Sequence, residues 1–313
     1  MRVLTLKGGL FKKLLWPLAY LLPVLAGIGV APEGFAREPI RVVTTTTVLK
    51  HFVEVLGKDS VQVYSIGKPY QDPHLTQATP QDILRVRKAQ VFLWTGSDEE
   101  QWTVSVLRNA GNRRLVVVDA SKGITWLNAP KAAASASGGH IHTRGNPYYW
   151  MDPFNAEIIL GNIFQAISFV SAKDRKFFDA NRRAYLVALR ARLAKWQEQM
   201  APLKGTMVVS YHDIWPYFAK RFGLNILRPI EPQAGIPPSP KDLRDIISEM
   251  QLEEVKIIIQ VPFYASSTPA MVARAAGAKR VALPISLGKK YGTETYFDLF
   301  ERNIRTLLKV AGK

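Results

Sequence analysis

The chain contains no cysteine and only five histidines in 313 residues. The first absence excludes disulfides, thiolate metal ligands and cysteine nucleophiles, and it removes the acceptor on which a bacterial lipid anchor is built. Also missing are the His-Glu-x-x-His, Gly-x-Ser-x-Gly and Gly-x-x-x-x-Gly-Lys-Ser/Thr patterns of metalloproteases, serine hydrolases and P-loop enzymes, so the chain reads as a non-enzyme. Acidic residues are few, 25 against 42 basic, a net charge of +17. The basic residues are spread along amphipathic segments rather than gathered in a run, which argues for a solvated basic surface and against a nucleic-acid partner.

What is present begins with an export signal. Arg2, Lys7, Lys12 and Lys13 precede an apolar stretch over residues 14–30, and small residues follow at Gly34 and Ala36. This is the plan of a secretory signal peptide over residues 1–36, cleaved after Ala36. The apolar stretch is short for a membrane anchor and is broken by Pro17 and Pro23. Removing the leader's four basic residues and Glu33 leaves 38 basic and 24 acidic residues, a mature charge of about +14. A freely diffusing, monomeric periplasmic protein is expected.

Beyond the leader, β-rich runs at residues 40–46, 61–66, 90–95 and 115–120 alternate with helical patterns such as residues 80–88. The alternation resumes with runs at 206–211, 225–230, 255–261 and 280–285. Alternation of this kind predicts parallel βα units. Between the two series, residues 171–200 contain neither Gly nor Pro, and Phe177, Phe178, Tyr185, Leu186, Leu189, Leu193 and Trp196 recur at helical spacing. The fold class expected is therefore α/β: two lobes of parallel βα units, over 37–170 and 203–313, joined by a long backbone helix over 171–202. A loop rich in Ala, Ser and Gly, ending in His140 and His142, interrupts the first lobe.

Open α/β sheets place ligands at the carboxyl ends of their strands, so two such lobes form a cleft walled by strand-end loops. Two of the histidines fall in such loops, one per lobe: His74 in Asp72-Pro73-His74 and His212 in Tyr211-His212-Asp213. Neutral imidazole is a borderline-soft donor suited to zinc.

Four motifs follow one another in order: Asp72-Pro73-His74 with Ala78-Thr79-Pro80-Gln81-Asp82, Gly145-Asn146-Pro147-Tyr148-Tyr149-Trp150-Met151-Asp152-Pro153, Tyr211-His212-Asp213-Ile214-Trp215-Pro216, and Glu231-Pro232-Gln233-Ala234-Gly235-Ile236-Pro237-Pro238-Ser239-Pro240. Together, over almost the whole mature chain, they resemble the zinc- and manganese-binding receptors of ABC importers. The resemblance implies two lobes on a connecting helix, a metal cargo held between them by histidines and usually one carboxylate, and delivery to a membrane permease with its ATPase. His74 and His212 match two of the histidine ligands. Zinc or manganese is the implied cargo, with ferric iron behind them.

The chain also departs from the pattern. Tyr148 stands where the family's central motif carries histidine, and the segment around Ser286, where many relatives have aspartate, holds no acid. A phenol with a pKa near 10 must lose a proton to bind zinc, which histidine need not do. The metal ligands expected are thus His74, His212, Tyr148 and, swinging in from the loop, His142, with His140 behind it; Tyr148 and Tyr149 together as phenolates would suit a harder metal. Glu100 and Glu231 are the nearest substitute acids by position, each read as a surface or structural acid. Asp152 and Asp213 are candidates for orienting the ligand histidines, although Asp152, just before Pro153, reads rather as the cap of a helix starting near Asn155; Gln260 is a candidate for a hydrogen bond in the cleft or for satisfying backbone groups at its strand end. The alternative reading is a degenerate member that has lost its metal and serves as an adaptor or binds another small ligand.

Overall fold

The computed structural model describes residues 38–128, 144–231 and 236–313, except the side chain of His74. The leader, the loop with His140 and His142, and residues 232–235 of the fourth motif lie outside the described residues. No helix among those described is long and apolar enough to cross a membrane.

The first sheet runs β2-β1-β3-β4, from β1 (Ile40–Thr44), β2 (Val61–Ser65), β3 (Val91–Trp94) and β4 (Val116–Asp119), all parallel. The second repeats that order, β6-β5-β7-β8, from β5 (Met207–His212), β6 (Asn225–Glu231), β7 (Ile257–Gln260) and β8 (Lys279–Ala282), again parallel. Sheets of this kind are covered on both faces, which is why the central strands read as unbroken β-branched runs: Val42, Val43, Val91, Phe92, Ile257, Ile258 and Ile259 are all buried.

The crossover helices start where local chemistry satisfies their free N–H groups. Thr46 caps α1 (Thr47–Gly57) by accepting from Leu49 N at 3.3 Å. Thr79 with Asp82, Ser239 with Asp242 and Thr295 with Asp298 form reciprocal capping boxes on α2 (Pro80–Lys88), α7 (Pro240–Leu252) and α9 (Tyr296–Ala311). The remaining helices are α3 (Trp102–Ala110), α4 (Ala156–Val170), α6 (Pro216–Phe222) and α8 (Ser267–Ala276).

The long helix α5 covers Arg175–Met200 and so begins four residues later than its gap-free sequence suggests. Ser171, at φ −135°, ends α4, and its hydroxyl bonds Asp174 at 2.6 Å across a short 3-10 turn. Twenty-six residues span about 39 Å. Phe178, Leu186, Leu189, Trp196 and Met200 are buried, whereas Phe177, one of the expected stripe residues, is 46% exposed. Helix α5 packs on α1 and α4 from the first half and on α9 from the second.

Aromatic side chains tie these helices into one core. Phe52 of α1 meets Tyr296 of α9 edge-on at 4.7 Å, and Tyr185 of α5 stacks on Phe297 at the same distance. His51, half-buried at the edge of this packing, lies 3.5 Å from the Tyr185 hydroxyl, and burial lowers its pKa to about 4, so it is neutral near pH 7.

Candidate functional site

The loops after β3, β5 and β7 and the segments 69–76, 145–152 and 284–290 converge between the two sheets. Several hydrogen bonds cross this interface. Ser286 Oγ donates to Pro69 O at 2.6 Å, Leu287 N to Thr47 Oγ1 at 3.0 Å, Lys290 N to Tyr70 Oη at 2.7 Å, and Trp150 Nε1 to Ile285 O at 2.9 Å. The segment around Ser286, which lacks the expected acid, is thus occupied in holding the halves together.

His212 is the last residue of β5 rather than a loop residue after it, and is 4% exposed. Its Nδ1 lies 3.1 Å from the carbonyl oxygen of Glu231, the residue it faces on β6, and its ring meets Tyr264 edge-on at 6.1 Å. An Nδ1–H donated to a backbone carbonyl fixes the ring and leaves Nε2 as the lone-pair donor, the arrangement of a metal-ligating imidazole. Neither expected orienting aspartate does this. Asp213 accepts from Asn128 at 3.4 Å, and Asp152 caps Phe154 N and holds Arg221 through two bonds of 2.6 and 2.9 Å.

Tyr148 is fully buried, its ring edge-on to Trp150 at 5.5 Å and its N–H donated to Asn146 Oδ1. Burial, reinforced by the charges of Glu99, Asp72 and Asp213 and by Tyr264, pushes its phenol well above the usual range. Tyr149 faces elsewhere: its hydroxyl donates to Thr95 O at 3.0 Å, and its charged neighbours are Glu100 and Asp119. The two phenols therefore do not form a pair. His74 lies in a 3-10 turn, Pro73–Leu75, packed against the turn Asp98–Glu100 after β3.

Three participants escaped the sequence reading. The Glu99 carboxyl is raised well above its ordinary range by burial and by Glu100, Asp72 and Asp98 around it. Asp72 lies near the phenol of Tyr264, in the loop after β7, and helps burial raise it. The signal was the rule that functional residues follow strands: Glu99 comes five residues after β3 and Tyr264 four after β7. The result is a concentration of acidic side chains on an otherwise basic protein, crowded enough to hold Glu99 toward its neutral form; a bound cation would favour its ionised form.

Glu100 and Glu231 are not surface acids; each is only 7% exposed. Glu100 accepts from Thr95 N at 2.7 Å, and burial raises its pKa to about 7. A carboxyl raised from 4.5 to about 7 on folding favours the folded state below pH 4.5, and that contribution is lost as pH climbs through 7, about 3 kcal/mol in all. Glutamine keeps the acceptor for Thr95 N without the charge. Urea unfolding at pH 5 and pH 8 should therefore show Glu100→Gln losing about 2.5 kcal/mol less than the parent over that interval; equal losses would place the titration elsewhere. Gln260 is 3% exposed at the end of β7, and its Oε1 has no hydrogen-bond partner among the described residues. Among those residues, no three histidine, aspartate or glutamate side chains stand close enough together to hold a metal by themselves. The side chain of His74, together with His140 and His142, falls outside that statement.

A family model described as zinc-uptake complex component A, periplasmic (ZnuA), matches residues 42–310. The iron-binding protein YfeA of Yersinia pestis is 28% identical over 290 residues, covering 90% of this chain and 89% of that one. The high-affinity zinc uptake system protein ZnuA of Bacillus subtilis is 24% identical, covering 86% and 87%. A crystal structure of ZnuA has the same fold, with a TM-score of 0.75 at 20% identity over 88% of this chain and 99% of that chain. The chain therefore belongs to the zinc-uptake complex component A family, whose members are substrate-binding transport receptors and not enzymes.

Proposed function

We propose that this protein captures a divalent transition metal, zinc or manganese, in the cleft between its two lobes and hands it to the permease of an ABC importer, whose ATPase drives uptake. The observation that carries this reading is His212, a buried imidazole whose Nδ1 is tied to the Glu231 carbonyl at 3.1 Å. The carbonyl commits Nδ1 as the N–H and so makes Nε2 the lone-pair nitrogen, the state that a metal ligand requires. His74, Tyr148 and His142 complete the ligand set, and the lobes over 37–170 and 203–313 close on the ion. The nearby carboxylates of Asp72 and Glu99 make the surroundings rich in oxygen, which moves preference from zinc toward harder ions such as manganese. The protein works in the periplasm, processed after Ala36 and without a lipid anchor.

A second reading is favoured by one observation. Tyr148 is packed as a core residue would be, fully buried and edge-on to Trp150. In that reading the metal has been lost and the cleft serves an adaptor. Isothermal titration of the metal-stripped protein with zinc, manganese and ferric ion separates the two. Tight one-to-one binding of a divalent ion establishes the receptor; no heat with any of the three leaves the adaptor.

A further inference from the structure

On the outer side of α5 lies a groove of about 610 Å³, formed with α9 and unrelated to the cleft. Its rims are cationic. Arg192 and Lys195 stand on α5, Arg305 and Lys309 on α9, and Lys313 just beyond, all exposed to solvent. One acid, Glu301, enters the groove, and it faces Arg192 at 3.8 Å. Lys195, Arg305, Lys309 and Lys313 have no acidic partner within ion-pair distance among the described residues. The spacing on each helix, 192 to 195 and 301 to 305 to 309, keeps these charges on one face. The floor is rigid: Trp196, 1% exposed, stacks on Phe300 at 5.2 Å, and Arg192 lies over the Phe297 ring at 4.5 Å.

Positive charge of this density does nothing for the cargo. A mature protein near +14 repels a free divalent cation at long range, so its basic surface serves a different partner, one that is anionic. We propose that the α5–α9 groove seats anionic phospholipid headgroups, so that the protein skims the surface of the membrane that holds its importer. Phosphates sit between the two cationic rims, over the apolar floor of Trp196 and Ile304. The proposal rests on the receptor reading for its choice of partner. Contacts of this kind are reversible and weaken with salt, which leaves the protein free to exchange between membrane and solution.

Each cation held against an anionic lipid surface raises the partition coefficient by roughly fivefold. The test is sedimentation with phosphatidylglycerol vesicles and with phosphatidylcholine vesicles, at low and at physiological salt, using the protein recovered from the periplasm of an expression host. The parent should bind the anionic vesicles and not the neutral ones. The triple variant Lys195→Glu, Arg305→Glu, Lys309→Glu should lose at least about 100-fold in partition. A second triple variant, Lys88→Glu, Arg113→Glu, Arg114→Glu, changes the net charge equally at exposed positions of the first sheet's crossovers and should lose far less. Equal losses in the two variants, or a parent that ignores anionic vesicles, overturn the proposal. Metal titration of the same preparations keeps the two readings apart. Metal binding without vesicle binding refutes only the groove, and vesicle binding without metal binding refutes the receptor.

Discussion

His212→Ala should lower zinc affinity by at least about 100-fold while the protein stays folded. Removing groups that merely orient metal ligands typically costs 10- to 100-fold, and loss of the ligand itself exceeds that. The substitution takes away one imidazole at the end of β5 and its bond to the carbonyl of the buried Glu231. The cost to stability is therefore about 1–2 kcal/mol. The measurement is competitive zinc titration beside thermal unfolding of the metal-free protein. A variant that binds zinc as tightly as the parent removes His212 from the site. A variant that has unfolded tests nothing about ligation, so His212→Gln, which keeps a donor toward Glu231, is measured in parallel and should lose zinc to the same extent.

The second large effect runs the other way. Tyr148→His should tighten zinc binding by at least about tenfold at pH 7. The Tyr148 phenol is held well above its ordinary pKa, first by burial and then by Glu99 and its neighbours. Forming the phenolate at pH 7 thus costs more than about 4 kcal/mol before the metal contributes anything. Histidine supplies a neutral donor at no such cost. With Tyr148 as the proposed ligand, the parent would release the phenol's proton on binding, so its zinc affinity should rise with pH above 7, whereas that of the variant should be nearly flat there. Titration in buffers of different ionisation heat counts the proton directly. Losing the contact with Trp150 destabilises the metal-free variant by about 1–3 kcal/mol. Unchanged zinc affinity would mean that Tyr148 is a packing residue and that the ligand set lies elsewhere.

Much of the fold is legible because it is carried by short-range signals. The eight strands announce themselves as β-branched runs, and Thr79-Pro80-Gln81-Asp82 spells the cap of α2 residue by residue. Chain periodicity could not show the break at Ser171, because neither Gly nor Pro marks it and the interruption is made by one side-chain bond to Asp174. At the site, His212 was legible from its motif, but its orienting partner was not. That partner is a backbone carbonyl, on Glu231, and a carbonyl has no letter in a sequence. Glu99 and Tyr264 were hidden for a related reason. Each becomes relevant only through neighbours distant in the chain, Asp72 and Tyr148 for the one and Asp72 for the other.

The aromatic packing between α1 and α9 bears on how the molecule is made. Phe52 has no place to go until Tyr296 has been synthesised, and Leu287 must travel back 240 residues to find Thr47. Contacts so remote in sequence close slowly, since the chain must lose its loop entropy before they reward it. A growing chain lacking them holds an unfinished core on both sheets. Were the chain exported unfolded, as its leader leads us to propose, that delay would be useful: the same helix pairing that makes the finished molecule one body would keep the nascent one pliable enough to be exported.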